Sequence, residues 1–291
     1  MKRKVAVIVD APAAVPQELV DKHDIGVVPL HAVIDGQDYP ETEVDMDWLL
    51  ARLAQKGNIP TTSASSVGDF LTAYERAAER AESAVSIHMT SKFTKTYENA
   101  LTARAEIMEK HPGFQIEAID AETVEAGEMP IALAAAEMAS KGGDFASVVQ
   151  KAYEVRDAVC SLYCFETLFY RDKGGRIFKA KAWAQAEEQS ATGFKAMIEV
   201  DHSTGGTVQL VSRAHAKKQL INRMAAIAAE RIGSGRLNGA IVHIDGQKDA
   251  ECLARLVKEK MAVDGLVISH GRAVSAIQNG AGFVTFGFYA A

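Results

Sequence analysis

Short apolar runs alternate with helical patterns through the first half of this chain. Residues 5–9 form a continuous apolar run that ends at Asp10, and residues 26–34 and 115–120 read as two further strands. Continuous apolar runs are typical of strands that a parallel sheet buries on both faces. Because helical patterns lie between these strands, residues 1–158 are predicted to fold as an open, mainly parallel α/β sheet with helices on both faces.

Residues 85–100 carry the strongest local signal for function. Their first residues alternate apolar and polar side chains, their middle is rich in hydroxyls, and helical spacing begins at Tyr97. The pattern predicts a strand that passes through a hydroxyl-lined loop into a helix. Hydroxyls together with the unpaired N–H groups of a helix start suit an anionic head group, either a phosphate or a carboxylate. The alternative is that these hydroxyls only cap the helix and shape the turn. They belong to Thr90, Ser91, Thr94 and Thr96.

A second group of hydroxyls lies upstream in residues 61–66, just before another helical pattern, and includes Thr62 and Ser63. In an open α/β sheet, ligands bind beyond the carboxyl ends of the strands. We therefore expect both hydroxyl groups to meet Asp10 and Asp120, the acids that end two predicted strands, at one edge of the sheet.

The remainder of the chain, residues 159–291, has a different pattern. Six predicted strands stand close together, with two longer helices among them at about residues 214–231 and 249–263. Fewer crossovers favour an α+β domain with a mixed or antiparallel sheet. A glycine-rich loop, residues 173–177, presents Arg176, whose guanidinium can bind a carboxylate or a phosphate through two parallel hydrogen bonds. The alternative is an ordinary surface arginine after a turn.

Length and charge limit the classes of protein to consider. At 291 residues the chain exceeds the usual size of one domain, so two domains are expected. A net charge of −6 argues against nucleic acid or an anionic membrane as a partner, because either requires a basic surface. The three cysteines form no Cys-x-x-Cys motif, and no apolar run suits a membrane span or a signal peptide. A cytoplasmic protein with reduced thiols is therefore expected.

Several short motifs follow one another along nearly the whole chain. They are Asp10 after an apolar strand, Pro16, residues 27–30 (Val-Val-Pro-Leu), 60–63 (Pro-Thr-Thr-Ser), 87–97 (Ile-His-Met-Thr-Ser-Lys-Phe-Thr-Lys-Thr-Tyr), 119–120 (Ile-Asp), 174–177 (Gly-Gly-Arg-Ile) and 280–282 (Gly-Ala-Gly). In this order they resemble the DegV family, which comprises bacterial fatty-acid-binding proteins and includes the binding subunit of fatty acid kinase. The resemblance implies two α/β domains, residues 1–158 and 159–291, with a long acyl chain buried between them.

The resemblance also implies how the lipid is held. It places the carboxylate of a fatty acid among hydroxyls, and it implies no catalytic residue, no metal and no cofactor other than the bound fatty acid. A fatty acid kinase subunit is the implied protein partner. The positions that carry over to the lipid site are Thr62, Ser63, Thr90, Ser91, Thr94, Arg176 and Gln278.

Several departures from the family pattern predict a divergent member, among them the loss of three hydroxyls in residues 8–13 and two changes beside the expected lipid site. Lys95 stands where the family prefers glycine, which places bulk beside the expected pocket. Gln278 stands where the family has histidine. A glutamine still donates to a carboxylate, but it does not titrate near neutral pH.

These observations favour a fatty-acid-binding protein over an enzyme. A buried acyl chain gains about 0.8 kcal/mol per methylene, so a dry tunnel supplies most of the affinity while a few hydroxyls fix the head group. The alternative hypothesis is a metal-dependent phosphoester hydrolase or phosphotransferase that uses Asp10, Asp120 and the hydroxyl loops. The sequence contains no Gly-x-Ser-x-Gly, Walker or dinucleotide-binding motif that would assemble a familiar active site.

Overall fold

The computed structural model describes residues 2–174 and 193–291. The strands are β1 (Arg3–Asp10), β2 (Gly26–Val28), β3 (His31–Ile34), β4 (Gln37–Pro40), β5 (Thr61–Ser63), β6 (Ala81–His88), β7 (Gln115–Asp120), β8 (Cys160–Cys164), β9 (Lys195–Glu199), β10 (Gln209–Ala214), β11 (Arg236–Ile244), β12 (Ala262–His270) and β13 (Phe283–Ala290). The helices are α1 (Gln17–His23), α2 (Met46–Ala54), α3 (Val67–Arg80), α4 (Thr96–Lys110), α5 (Glu128–Ser140), α6 (Phe145–Ala158), α7 (Phe169–Gly174), α8 (Lys217–Ile232), α9 (Gln247–Lys260) and α10 (Ala273–Asn279). Below, residues 2–158 are the N-terminal half, and residues 159–174 with 193–291 are the C-terminal half.

A four-stranded parallel sheet organises the N-terminal half, with strand order β2-β1-β6-β7. Alternate residues of β1 point to opposite faces: Ala6 and Ile8 pack with α3 and α4, and Val5 and Val7 pack with α5 and α6. Helices therefore cover both faces of the sheet, and the predicted open parallel α/β sheet is confirmed. Residues 5–9 of β1 are all apolar because neither face of the sheet meets water there.

A small antiparallel sheet, β4-β3-β5, lies beside the parallel one. The prediction of one strand over residues 26–34 is wrong here. Residues 26–28 join the parallel sheet, and the chain then turns at Pro29 into β3 of the small sheet. Proline has no N–H group to donate to a ladder, so a strand ends readily at this position. Asp35 and Gly36 form the tight turn between β3 and β4, and both residues have positive φ.

A six-stranded mixed sheet forms the C-terminal half, in the order β10-β9-β8-β13-β11-β12. Only β11 and β12 run parallel, and the other neighbours pair antiparallel. The predicted mixed sheet is confirmed. Helices α8 and α9 bury one face through residues such as Met224 and Leu253, while the β11 residues Ala240 and Val242 pack into the core that surrounds α5.

The two halves share an apolar core. Met89 and Val124 from the N-terminal half pack in one cluster with Phe165 and Phe283 from the C-terminal half. The backbones also approach closely, since a Cβ on Gly287 would overlap the carbonyl of Ala126. Among the helices of the described ranges, none combines the length and the apolar character that crossing a bilayer requires.

Candidate functional site

Carboxylates at two strand ends hold the loop that follows β6. Asp10 ends β1, is fully buried and accepts a hydrogen bond from the Met89 N–H (2.9 Å). Asp120 ends β7 and accepts from the Ser91 N–H (3.2 Å) and the Glu122 N–H (2.9 Å). Strand β6, this loop and α4 reproduce the predicted strand, loop and helix of residues 85–100. In this geometry both acids orient backbone rather than point toward open solvent.

The hydroxyls of the β6–α4 loop have different surroundings. Thr90 is fully buried and donates to the carbonyl of Gly206 in the C-terminal half (3.1 Å). Gly206 has φ +70°, and a side chain there would overlap the Thr90 hydroxyl. Thr94 and Thr96 share a hydrogen bond of 3.0 Å. Thr90 therefore joins the two halves, while Ser91 and Thr94 remain half-buried in the loop.

Thr62 and Gln278 come together across the two halves. Thr62 lies on β5 opposite Ala32 of β3, and Gln278 lies on α10. The Gln278 Nε2 donates to the Thr62 Oγ1 at 2.9 Å. Gln278 is 7% exposed, and its Oε1 has no hydrogen-bond partner among the described residues. This contact places two predicted site residues, 216 positions apart in sequence, in one site.

The other predicted positions lie elsewhere or outside the described ranges. Ser63 points to the opposite side of β5 from Thr62, is exposed, and donates to Asp38 Oδ1 at 3.4 Å. Lys95 is also exposed and forms an ion pair with Glu98 (3.0 Å), so its side chain extends into solvent rather than into a pocket. Arg176 lies outside the described residues, and its role stays a prediction.

A cavity of about 570 Å³ opens beside the Thr62–Gln278 contact. It is lined by Ile59 and Pro60 before β5, by Tyr170 on α7 and by Gln278 on α10. The volume falls within the roughly 300–1,000 Å³ that is typical of small-molecule sites. Tyr170 also belongs to the apolar core between the halves, and its hydroxyl donates to the Leu53 carbonyl (3.0 Å). The cavity therefore leads from the surface toward that core.

A second cavity, of about 20 Å³ and called the inner cavity below, is also lined by Gln278. Its apolar wall includes Met89 and Val124, and its polar wall includes Glu125 and Ser275. The Glu125 Oε1 accepts from the Ser275 hydroxyl (2.5 Å) and from the Asn279 amide (3.0 Å). The Glu125 Oε2 is buried without a partner among the described residues. Burial raises the pKa of Glu125 to about 7.

Two buried groups complete the polar side of this region. Arg171 on α7 is 6% exposed and donates from Nε to the Asn279 Oδ1 (2.7 Å). Glu41 accepts from the Val274 N–H (3.0 Å) at the start of α10, and burial raises the pKa of Glu41 to about 8. Glu41 and Glu125 thus fix α10 against the N-terminal half from two sides.

His88 and its neighbours form a separate buried cluster beneath the loop. The His88 ring contacts the Ser86 hydroxyl at 2.7 Å and packs edge-on against Phe70 at 4.9 Å between centroids. Burial lowers the pKa of His88 to about 3, so the ring is neutral. Burial raises the pKa of Asp10 to about 6, and burial followed by the charge of Asp10 raises the pKa of Glu128 well above its usual range. His88 is a packed core residue.

Sequence reasoning missed α10, Arg171, Glu41 and Glu125. A seven-residue helix gives little periodicity, and a glutamate or arginine in a single sequence reads as a surface residue. Asn279 directly after Gln278 was the one local signal, since amides at the end of a short apolar run are frequent in buried polar networks.

The fold and the cavities around Gln278 define a mixed α/β protein with a candidate ligand site where its two halves meet. Comparison with known proteins identifies its family. The model of a family described as uncharacterised protein, DegV family, matches residues 4–291. A DegV domain-containing protein of Streptomyces coelicolor is 30% identical over 279 residues, which cover 95% of this chain and 94% of the relative. The chain belongs to the DegV family.

Solved structures share this fold over their whole length. A DegV family protein from Thermus thermophilus, described by its fatty acid binding, has a TM-score of 0.88 at 23% identity, covering 99% of this chain and 100% of that one. A DegV family protein from Eubacterium eligens, loaded with heptadecanoic acid, has a TM-score of 0.85 at 16% identity with the same coverage. At these identities the similarity establishes the fold.

Proposed function

We propose that this protein binds a long-chain fatty acid, with the carboxylate at the Thr62–Gln278 contact and the acyl chain between two domains, residues 1–158 and 159–291. The observation that carries the proposal is the hydrogen bond between Thr62 and Gln278, where the open cavity meets the apolar core. Family relatives described as binding fatty acids support the choice of ligand.

The head-group arrangement places polar groups of both halves around the carboxylate. The Gln278 amide donates to the Thr62 hydroxyl, so both polar groups lie where the carboxylate is proposed to bind. A carboxylate accepts hydrogen bonds only, so it requires donors such as hydroxyl and amide groups. Ser91, Thr94 and Arg176 are the further proposed donors, whereas Ser63 faces the other side of β5 and donates to Asp38. Thr90 donates to Gly206, so its proposed contribution is to hold the loop that presents Ser91.

The acyl chain is proposed to extend from Gln278 into the apolar core between the halves. Met89, Val124, Val274 and Phe283 supply apolar surface there. At about 0.8 kcal/mol per buried methylene, a chain of sixteen carbons gains on the order of 10 kcal/mol before the cost of association is subtracted. Most of the affinity therefore comes from the chain, and the head group determines its orientation.

The carboxylate end lies at the outer, open side of the site, so a bound acid can be presented to a partner. We propose a fatty acid kinase subunit as that partner. We also propose a cytoplasmic location, which the free thiols of Cys160, Cys164 and Cys252 support, since such thiols are usual in a reducing compartment.

Native mass spectrometry and organic extraction of the purified protein test the function. A copurified long-chain fatty acid, together with saturable rebinding of palmitate to delipidated protein, is the expected result. Protein that neither contains nor rebinds a fatty acid, but hydrolyses phosphoesters when a divalent metal is added, would overturn the proposal.

Substitutions test the position of the head group. Thr62→Val should weaken palmitate binding about 10-fold through loss of a hydrogen bond to a charged group. Arg176→Ala is expected to weaken it by about 1 to 3 kcal/mol. Thr72→Val is the matched control, because Thr72 is exposed on α3 and bonds only its own helix (3.0 Å). Equal affinity of the Thr62 and Thr72 variants would show that the carboxylate lies elsewhere.

A further inference from the structure

The inner cavity is lined by two residues with unpartnered hydrogen-bond acceptors and has space for one small group. Its volume of about 20 Å³ is enough for a single water-sized group. The Gln278 Oε1 and the Glu125 Oε2 are both buried, and neither has a hydrogen-bond partner in the described ranges. Both residues are more than nine-tenths buried and line this same cavity. A purely apolar ligand would leave both oxygens without a donor.

Building on the proposed function, we propose that the preferred ligand is a fatty acid with a hydroxyl group near its carboxylate, on carbon 2 or carbon 3, and that this hydroxyl occupies the cavity. A buried acceptor without a donor is costly, so a ligand that supplies the donor binds better than one that does not. A hydroxyl also matches the volume, which excludes larger polar groups.

The position of the hydroxyl along the chain follows from Gln278. One end of its carboxamide, Nε2, bonds Thr62 in the proposed head-group site, and the other end, Oε1, is buried without a partner in a residue that also lines the inner cavity. A ligand whose carboxylate bonds Thr62 therefore places only its first few carbons beside Oε1. A hydroxyl at the far end of the chain lies in the apolar core and cannot reach this acceptor.

Glu125 can serve the same hydroxyl as a donor or as an acceptor. Ser275 and Asn279 bond its Oε1, and its Oε2 is buried without a partner among the described residues, in a side chain that lines the cavity. When Glu125 carries a proton, it donates to the ligand oxygen while the ligand hydroxyl donates to Gln278. When Glu125 is ionised, the ligand hydroxyl donates to it instead. Either arrangement gives the ligand hydroxyl a hydrogen bond that palmitate, which has no hydroxyl, cannot form.

A series of four ligands on delipidated wild-type protein tests the proposal by calorimetric titration. The probes are palmitate, 2-hydroxypalmitate, 3-hydroxypalmitate and 16-hydroxypalmitate. We expect the 2- or the 3-hydroxy acid to bind about 10-fold more tightly than palmitate, and 16-hydroxypalmitate to bind no more tightly than palmitate. The 16-hydroxy acid is the control, because it also has one hydroxyl but carries it at the end of the chain farthest from the carboxylate.

Two variants separate the inner cavity from the head-group site. Gln278→Met removes the Oε1 acceptor and should lower the affinity ratio of 3-hydroxypalmitate to palmitate below the wild-type ratio, with Glu125 as the remaining partner of the hydroxyl. Thr62→Val should weaken both acids and keep the ratio. If either variant fails to fold, the wild-type ligand series decides the question alone.

The outcomes distinguish this inference from the function on which it rests. Palmitate binding as tightly as the 2- and 3-hydroxy acids would overturn the inference, because the cavity would then take only water, and would leave fatty acid binding in place. Equal tightening by all three hydroxy acids would also overturn it. Absence of binding by all four acids would overturn both.

Discussion

Replacement of Glu41 by glutamine should change how the stability of the fold depends on pH. Burial raises the pKa of Glu41 from its ordinary value of 4.5 to about 8. The folded protein therefore keeps a proton that the unfolded chain loses above pH 4.5. Unfolding is then linked to proton release, so the free energy of unfolding is highest below about pH 4.5 and falls until about pH 8.

The size of the effect follows from the width of that interval. Each pH unit between about 4.5 and about 8 costs about 1.4 kcal/mol, so Glu41 lowers the free energy of unfolding by on the order of 5 kcal/mol across it. Glutamine does not ionise, so Glu41→Gln lacks this contribution. Between about pH 4.5 and about pH 8, the free energy of unfolding of the wild type should therefore fall by on the order of 5 kcal/mol relative to that of the variant.

Urea unfolding followed by circular dichroism at several pH values measures both proteins, with the m-value as the check that the same surface is exposed. Glu43→Gln, an exposed glutamate two positions away, controls for the loss of one negative charge. Parallel stability curves for wild type and Glu41→Gln would refute the reasoning, since they would mean that folding does not change the protonation of Glu41.

Two further predictions concern the β6–α4 loop and its surroundings. Gly206→Ala should destabilise the fold by about 3 kcal/mol, because a side chain at φ +70° is strained and overlaps the Thr90 hydroxyl. Gly205→Ala is the control: this residue has φ +61° but faces open space, so its replacement should cost only about 1 kcal/mol. Thermal unfolding of the two variants measures the difference. Lys95→Gly should leave the affinity for palmitate within about twofold of wild type, because the Lys95 side chain is exposed and bonds Glu98. Calorimetric titration measures this affinity, and a tenfold change would show that Lys95 reaches the ligand.

The elements predicted well are those with strong local patterns. The buried run of β1, the strand and helix on either side of the β6–α4 loop, and the mixed nature of the second sheet could all be read from apolar spacing. The break of residues 26–34 at Pro29 could not, because both pieces are extended and only pairing partners distinguish them. Residues 61–63 similarly form a short strand because β3 is available to pair with them.

In the candidate site, some residues could be predicted from the sequence and others could not. Thr62 and Gln278 were identified through family resemblance, and the structure brings them into contact. Glu125 and Arg171 carry charges that a single sequence assigns to the surface, yet they are buried together beside Gln278. Their burial depends on partners supplied by distant segments, such as Asn279, and no local pattern encodes that pairing.

The contacts that hold α10 against the N-terminal half have a consequence for how the protein folds during its synthesis. The carboxyl of Glu41 receives its hydrogen bond from Val274, 233 positions later in the chain, and Glu125 meets Asn279 across 154 positions. A nascent chain therefore exposes these acids and the apolar wall beside them until the segment with α10 has left the ribosome. Contacts of such long range form late and slowly. The crevice is thus completed only after nearly all of the described chain has been made, and fragments that stop before α10 should be prone to aggregation.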